Sequence, residues 1–242
     1  MALALVTGAS RGIGRATALL LAKNGYTVVV NYHHNAGAAT EVVARIGAQG
    51  GKALAVRADI SDESQVMAMF EAIDREGEPL TALVNNAGIL FSQSTLEQLT
   101  AERINRVLAT NVTGTFLCCR EAVKRMTSGG AIVNVSSAAA RLGAAGEYVD
   151  YAASKGAVDT LAKGLSLEVA AKGIRVNGVR PGYIYTEMHA DGGEPGRVDR
   201  VSAGLPMQRG GQPEEVAQAI AWLLSDSASY VTGSFIDLAG GR

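Results

Sequence analysis

The chain of 242 residues is 48% hydrophobic and 19% charged, with a formal net charge of −1. That balance excludes a disordered chain, and the lack of any basic block argues against nucleic acid as a main partner. No apolar run approaches the ~20 residues of a membrane span. Met1-Ala2-Leu3-Ala4-Leu5-Val6 runs directly into Thr7-Gly8 without a cleavable signal pattern, so a cytoplasmic protein with no membrane partner is expected.

Short β-branched runs alternate with helical stretches along the chain. Strands are predicted at Ala4–Thr7, Thr27–Tyr32, Ala53–Ala58, Ala82–Asn85, Ile132–Ser136, Arg175–Arg180 and Ser234–Asp237. Helices are predicted at Gly14–Asn24, Ala36–Gln49, Asp62–Arg75, Glu102–Met126, Tyr151–Lys172 and Pro213–Leu224. Runs such as Ile132-Val133-Asn134-Val135 are apolar at most positions, as in strands covered on both faces. Repeated βα units of this length predict an α/β fold with a doubly wound, seven-stranded parallel sheet and helices on both faces. No Pro/Gly/Ser-rich linker divides the chain, so residues 1–242 read as one domain.

After the first strand, Gly8, Gly12 and Gly14 stand in G-x-x-x-G-x-G rather than the G-x-G-x-x-G dinucleotide fingerprint. The physical role can be the same: a tight turn, close backbone approach to pyrophosphate, and a helix N-terminus facing the anion. At the end of the second strand a carboxylate would bond the adenosine ribose hydroxyls and repel a 2′-phosphate. This chain has Asn31-Tyr32-His33-His34 there, with no acid, and Arg11 within reach of a phosphate. NADP(H) is therefore favoured as cofactor, with NAD(H) left open; His33 and His34 read equally as solvated loop side chains. Asp59 and Asn85-Asn86-Ala87-Gly88 follow the third and fourth strands, at the sheet edge where such folds bind ligands. Asp59 reads as an adenine contact or a helix cap, and the asparagines as turn-fixing groups or direct contacts.

Asp62 with Gln65 forms a capping-box pattern, Gly25 a helix C-cap, and Pro213-Glu214-Glu215 a helix start. Cys118 and Cys119 are adjacent on a predicted helix, where their side chains diverge, and read as small buried apolar residues. His33, His34 and His189 are scattered, so no metal site is expected. Tyr151 and Lys155 lie one helical turn apart, which puts an ammonium beside a phenol. A cation there would lower a phenol pKa that starts near ~10 by roughly 1–3 units. Residues 187–209 have no clear period and read as a lid or as a plain surface loop.

Taken in order, Thr7-Gly8-Ala9-Ser10-Arg11-Gly12-Ile13-Gly14, Asp59-Ile60, Asn85-Asn86-Ala87-Gly88, Asn111-Val112, Ser136-Ser137, Tyr151-Ala152-Ala153-Ser154-Lys155 and Pro181-Gly182 make the chain resemble a short-chain dehydrogenase/reductase over nearly its whole length. Within that family it resembles bacterial 3-oxoacyl-carrier-protein reductases and glucose dehydrogenase-like members. The resemblance implies NADP(H)-dependent interconversion of a carbonyl and a secondary alcohol by a tetrad of Asn111, Ser137, Tyr151 and Lys155. In it Tyr151 is the general acid in reduction and the base in oxidation, and Lys155 lowers its pKa and bonds the nicotinamide ribose. Ser137 holds the substrate oxygen, and Asn111 holds a water that continues a proton relay. Cofactor contacts are implied for Gly8, Ser10, Arg11, Gly12, Ile13, Gly14, Asn31, His33, Asp59, Ile60, Asn86, Ala87, Gly88, Tyr151, Lys155, Pro181 and Gly182. Ile184 would meet the carboxamide through its backbone and Thr186 through its hydroxyl; a helix cap is the competing role for Thr186.

Ser137 lies one residue further from Tyr151 than is usual in that family, which leaves Ser136 as an alternative. Tyr148, with no lysine one turn on, reads as a pocket-lining residue. The polar, glycine-rich stretch 187–209 favours a small polar carbonyl or a sugar over a steroid-sized ligand. A 3-oxoacyl chain on an acidic carrier ranks close behind, met by Lys124, Arg125 and Lys172 as a basic patch. The resemblance also implies a homotetramer built through the two long helices and the last strand, with Gly114, Ala122, Gly156, Ala157 and Gly164 permitting close packing. A cofactor-binding regulatory or scaffold protein without chemistry is the alternative, although such proteins typically lose the Tyr or the Lys.

Overall fold

The computed structural model describes residues 2–127 and 129–242. In chain order the elements are β1 (Leu3–Val6), α1 (Gly12–Lys23), β2 (Thr27–Tyr32), α2 (Ala36–Ala48), β3 (Ala53–Arg57), α3 (Glu63–Asp74) and β4 (Leu80–Asn85). They continue with α4 (Ala101–Leu108), α5 (Gly114–Arg125), β5 (Gly130–Val135), α6 (Ala139–Leu142), α7 (Val149–Val169) and β6 (Ile174–Pro181). The last are α8 (Met188–Asp191), α9 (Arg197–Ser202), α10 (Pro213–Leu224) and β7 (Phe235–Leu238). All seven strands join one parallel sheet in the order β3-β2-β1-β4-β5-β6-β7.

Alternation along the strands divides the core into two layers. Ala4 and Val6 of β1, Val28 and Val30 of β2 and Val133 of β5 pack with Leu21 of α1, Ile46 of α2 and Ile220 of α10. Leu3 and Leu5, Val29 and Ile132 point the other way, onto Phe70 of α3, Cys118 of α5 and Ala162 of α7. Both faces are buried, which accounts for the nearly continuous apolar strands.

Helix ends follow the local chemistry. The Asp62 side chain accepts from the amides of Ser64 and Gln65, and Gln65 returns a bond to Asp62. Pro213 opens α10 behind a reciprocal Gln212–Glu215 cap. Gly25, just past α1, takes φ +91°, the left-handed conformation of a helix C-terminus.

Two predicted elements differ. The helix expected over Glu102–Met126 is interrupted by a π-helical turn, Ala109–Thr113, between α4 and α5. The segment 187–209 contains two short helices, α8 and α9, where sequence showed no period. Strand order reverses between β1 and β4, and the crevice outside the carboxyl ends of such strands is where doubly wound sheets bind ligands.

Candidate active site

A cleft of about 460 Å³ opens at this carboxyl edge, lined among others by Ile13, Asn86, Ser137, Tyr151, Lys155, Pro181, Gly182, Ile184 and Thr186. The end of β5 supplies the two serines with opposite orientations. Ser136 is buried and its hydroxyl donates to the Lys155 carbonyl (3.2 Å), whereas Ser137 lies against the Tyr151 phenol. Of the two, only Ser137 presents its hydroxyl to that phenol. The connection to α7 contains the short helix α6, whose Ala139 amide donates to Ser137 Oγ (3.1 Å).

Lys155 is 4% exposed, and its Nζ donates to the Val135 carbonyl (2.8 Å). It lies 5.6 Å from the centre of the Tyr151 ring. Burial lowers its pKa to about 8, against an opposing pull from Asp159. The phenol behaves differently from the sequence-based expectation. Burial pushes Tyr151 up to about 12, and only the Ser137 hydroxyl pulls it back. The ammonium is held by a strand-end carbonyl, and desolvation of the phenolate dominates.

Asn111 sits in the π-helical turn, a distortion that recurs at functional sites. Its Oδ1 accepts from the Ile89 amide (2.8 Å), and its Nδ2 donates to the Ile89 carbonyl (2.9 Å) and to Ser154 Oγ (3.0 Å). The side chain is thus committed to protein partners, and the Asn111 backbone carbonyl accepts from Thr115 Oγ1 (2.8 Å). Gly88 faces this pair: a Cβ there would lie 3.3 Å from Lys155 Nζ and 3.4 Å from Asn111 Oδ1.

The glycine-rich turn is held from β4. Thr7 Oγ1 accepts the amides of Asn86 and Ala87 (3.0 Å each), and Asn86 Nδ2 donates to the carbonyls of Thr7 (2.9 Å) and Gly8 (3.1 Å). Gly8 has φ +60°, and a Cβ on it would lie 2.9 Å from the Ala87 Cα, so no side chain fits.

A family model described as enoyl-(acyl carrier protein) reductase matches residues 8–242. The chain is 76% identical to the uncharacterized oxidoreductase YgfF of Escherichia coli (strain K12), over 100% of both chains. It is 38% identical to glucose 1-dehydrogenase 2 of Bacillus subtilis (strain 168), over 98% of this chain and 93% of the relative. A crystal structure of a short chain dehydrogenase from Burkholderia cenocepacia J2315 in complex with NADP superposes with TM-score 0.92 at 33% identity, covering 99% and 96% of the two chains. The chain belongs to the short-chain dehydrogenase/reductase family. It is an NAD(P)-dependent oxidoreductase acting on CH–OH donors.

The turn of this dehydrogenase/reductase fits a dinucleotide. Helix α1 has no side-chain cap and no acid in its first turn. Its leading amides, beside the glycines, are left to an anion. Thr186 packs over Gly12, and the Ile184 carbonyl accepts from the His189 ring (2.9 Å). Ser10 and Ile13 lie half-buried in the turn.

Two expected contacts, Asn31 and the Ile60 side chain, are turned inward, and Asp59, His33 and Arg11 carry protein partners of their own. Asn31 is 1% exposed; it accepts from the Gly8 amide and donates to the carbonyls of Val56 and Ala58, so it braces the turn and does not face the adenosine end. The Ile60 side chain is buried against Gly114, which leaves only its backbone for a cofactor. Asp59 Oδ1 accepts from the Ser61 amide (2.9 Å) and hydroxyl (2.7 Å), and its Oδ2 lies 3.7 Å from His33 Nε2, with the His33 ring stacked on His34. Arg11 is exposed and pairs with Asp191 of α8.

The basic patch does not stand free: Lys124 bonds Glu121, and Arg125 bonds Asp74 and Glu121. Gly114 and Ala122 point into the protein's own core, unlike Gly156 and Gly164, whose Cβ positions are open. Cys118 and Cys119 are buried thiols, as expected, with burial pushing Cys119 up to about 12. No cluster of potential metal ligands occurs among the described residues. Tyr148 lines the cleft, as expected. Thr7, Glu147, Arg197 and Arg242 were missed; a threonine in the turn and charges far apart in sequence carry no signal until the chain is folded.

Proposed function

We propose that the protein interconverts a carbonyl and a secondary alcohol with NADP(H), with Tyr151 moving the proton. The single observation that carries this reading is the convergence of Tyr151, Ser137 and Lys155 on one cleft at the switch point of the sheet. A bound nicotinamide supplies or accepts the hydride. Tyr151 gives its phenolic proton to the carbonyl oxygen in reduction and takes it back in oxidation. Ser137 donates to that oxygen as charge develops. Lys155, released from the Val135 carbonyl toward the ribose, adds a positive charge beside a phenol whose pKa starts too high for a base. Asn111 fixes Ile89 and Ser154 around it, and its carbonyl, which already accepts from Thr115 Oγ1, offers its second lone pair to a relay water.

The cofactor preference rests on the uncharged end of β2 and on Arg11, not on Asn31; the NADP held by a related enzyme supports it. NADPH is expected to bind at least tenfold more tightly than NADH, ~1.4 kcal/mol. Residues 187–209 act as a lid on the single domain, tied to the cofactor turn through Arg11–Asp191 and Arg15–Glu187 (3.6 Å). Self-association through α5 and α7 to a homotetramer is supported by exposed Phe116 and Leu167. No helix of the described residues is long and apolar enough to cross a membrane, which accords with a cytoplasmic enzyme. The test is a panel of sugars, ketones, aldehydes and alcohols followed by nicotinamide absorbance with each cofactor. Turnover of none of them, or tighter binding of NADH, contradicts the reading.

A further inference from the structure

The cleft beside Tyr151 has a charge pattern that the carbonyl chemistry alone does not require. Three cationic side chains line it, Lys155, Arg197 and Arg242, against one carboxylate, Glu147. Arg197 is the unusual one. It opens α9, is only 6% exposed, and its guanidinium carbon lies 4.9 Å from the Tyr148 ring centre and 5.4 Å from that of Tyr183. One terminal nitrogen donates to Glu147 Oε2, yet Nε is buried with no hydrogen-bond partner. Leaving such an N–H unmade is costly, so a site that retains it has a use for it in another state. Arg242, on the rim, donates to the Tyr183 hydroxyl (3.2 Å) and extends the positive wall outward.

A buried guanidinium packed beside two aromatic rings presents a planar fork that matches a carboxylate, which it binds through two parallel N–H bonds. Glu147, whose side chain is 31% exposed, occupies one of those positions now and marks where an anion sits. We propose that the substrate is an oxo carboxylate, and its product a hydroxy carboxylate, anchored by Arg197. The substrate carboxylate displaces Glu147 from the guanidinium while the carbonyl meets Ser137 and Tyr151. This rests on the carbonyl–alcohol reading above. In the reaction a hydride passes from reduced nicotinamide to the carbonyl carbon and the Tyr151 proton to its oxygen; the carboxylate is unchanged and serves only to position.

The experiment compares kcat/KM for oxo carboxylates with the carbonyl at carbon 2, 3 or 4 against their methyl esters, using the full chain and NADPH. Acids are expected to exceed esters by at least about tenfold, carried by KM. Arg197→Met brings the ratio to about one, Arg197→Lys retains part of it, and Glu147→Gln raises it by removing the competing carboxylate. The ratio is measured within each variant, so a loss of folded protein scales both substrates alike. Should Arg197→Met not fold, wild type and Glu147→Gln decide. Esters equal to acids in wild type, or an unchanged ratio in Arg197→Met or Glu147→Gln, overturns the proposal. Turnover of neutral carbonyls only overturns the proposal and leaves the parent reading intact; turnover of no carbonyl of any kind overturns both.

Discussion

The buried ammonium of Lys155 gives the site a measurable pH signature in stability. At 4% exposure its pKa falls from 10.5 to about 8, chiefly through burial. The unfolded chain therefore holds this proton between pH 8 and 10.5 while the folded protein has shed it, so stability rises with pH across that window. The depression from 10.5 to about 8 corresponds to a penalty of roughly 3 kcal/mol at neutral pH, most of which is recovered by pH 10. Lys155→Met removes the charge and also the bond to the Val135 carbonyl. That lost bond shifts stability by a constant, whereas the ionisation has a slope. Urea unfolding of both proteins from pH 7 to pH 10, at one protein concentration, separates the two. Wild type is expected to gain 2 to 3 kcal/mol on the variant over this range, mostly above pH 8. Parallel curves would refute the argument that desolvation governs this lysine.

Other consequences can be checked in the same protein. Asp191→Asn frees Arg11, and NADPH affinity by titration is expected to rise about two- to fivefold, the scale of an exposed ion pair, with NADH changing less. Asp150 at the start of α7 is 7% exposed and pairs with Arg103 (2.8 Å); Asp150→Ala leaves a part-buried arginine unpaired and is expected to cost about 3 kcal/mol in chemical unfolding. Sedimentation at micromolar concentration is expected to give a tetramer, and Phe116→Glu with Leu167→Glu to give smaller species with the fold intact by circular dichroism.

What the sequence made legible was whatever depends on neighbours in the chain. Short β-branched runs alternating with helical stretches marked the strands, Asp62 and Pro213 marked helix starts, and the one-turn spacing of Tyr151 and Lys155 put both on one helix face. What it could not give depends on burial and on partners distant in sequence. Asn31 looked available to a cofactor because nothing local reveals that Gly8, Val56 and Ala58 consume its amide. The phenol looked acidic because spacing shows the neighbouring cation but neither the Val135 carbonyl that holds it nor the desolvation around Tyr151. The π-helical turn at Asn111 inserts into a stretch whose pattern is helical throughout. Arg197 and Glu147 lie 50 residues apart and meet only when α9 folds over the cleft.

In the proposed reaction Tyr151 transfers the proton while the nicotinamide transfers the hydride. Tyr151→Phe removes one oxygen and leaves the ring in place, so NADPH affinity, measured by fluorescence titration, is expected to stay within about twofold while turnover falls by roughly 10²–10⁴. Turnover within tenfold of wild type in that variant, with cofactor bound equally well, would contradict the account.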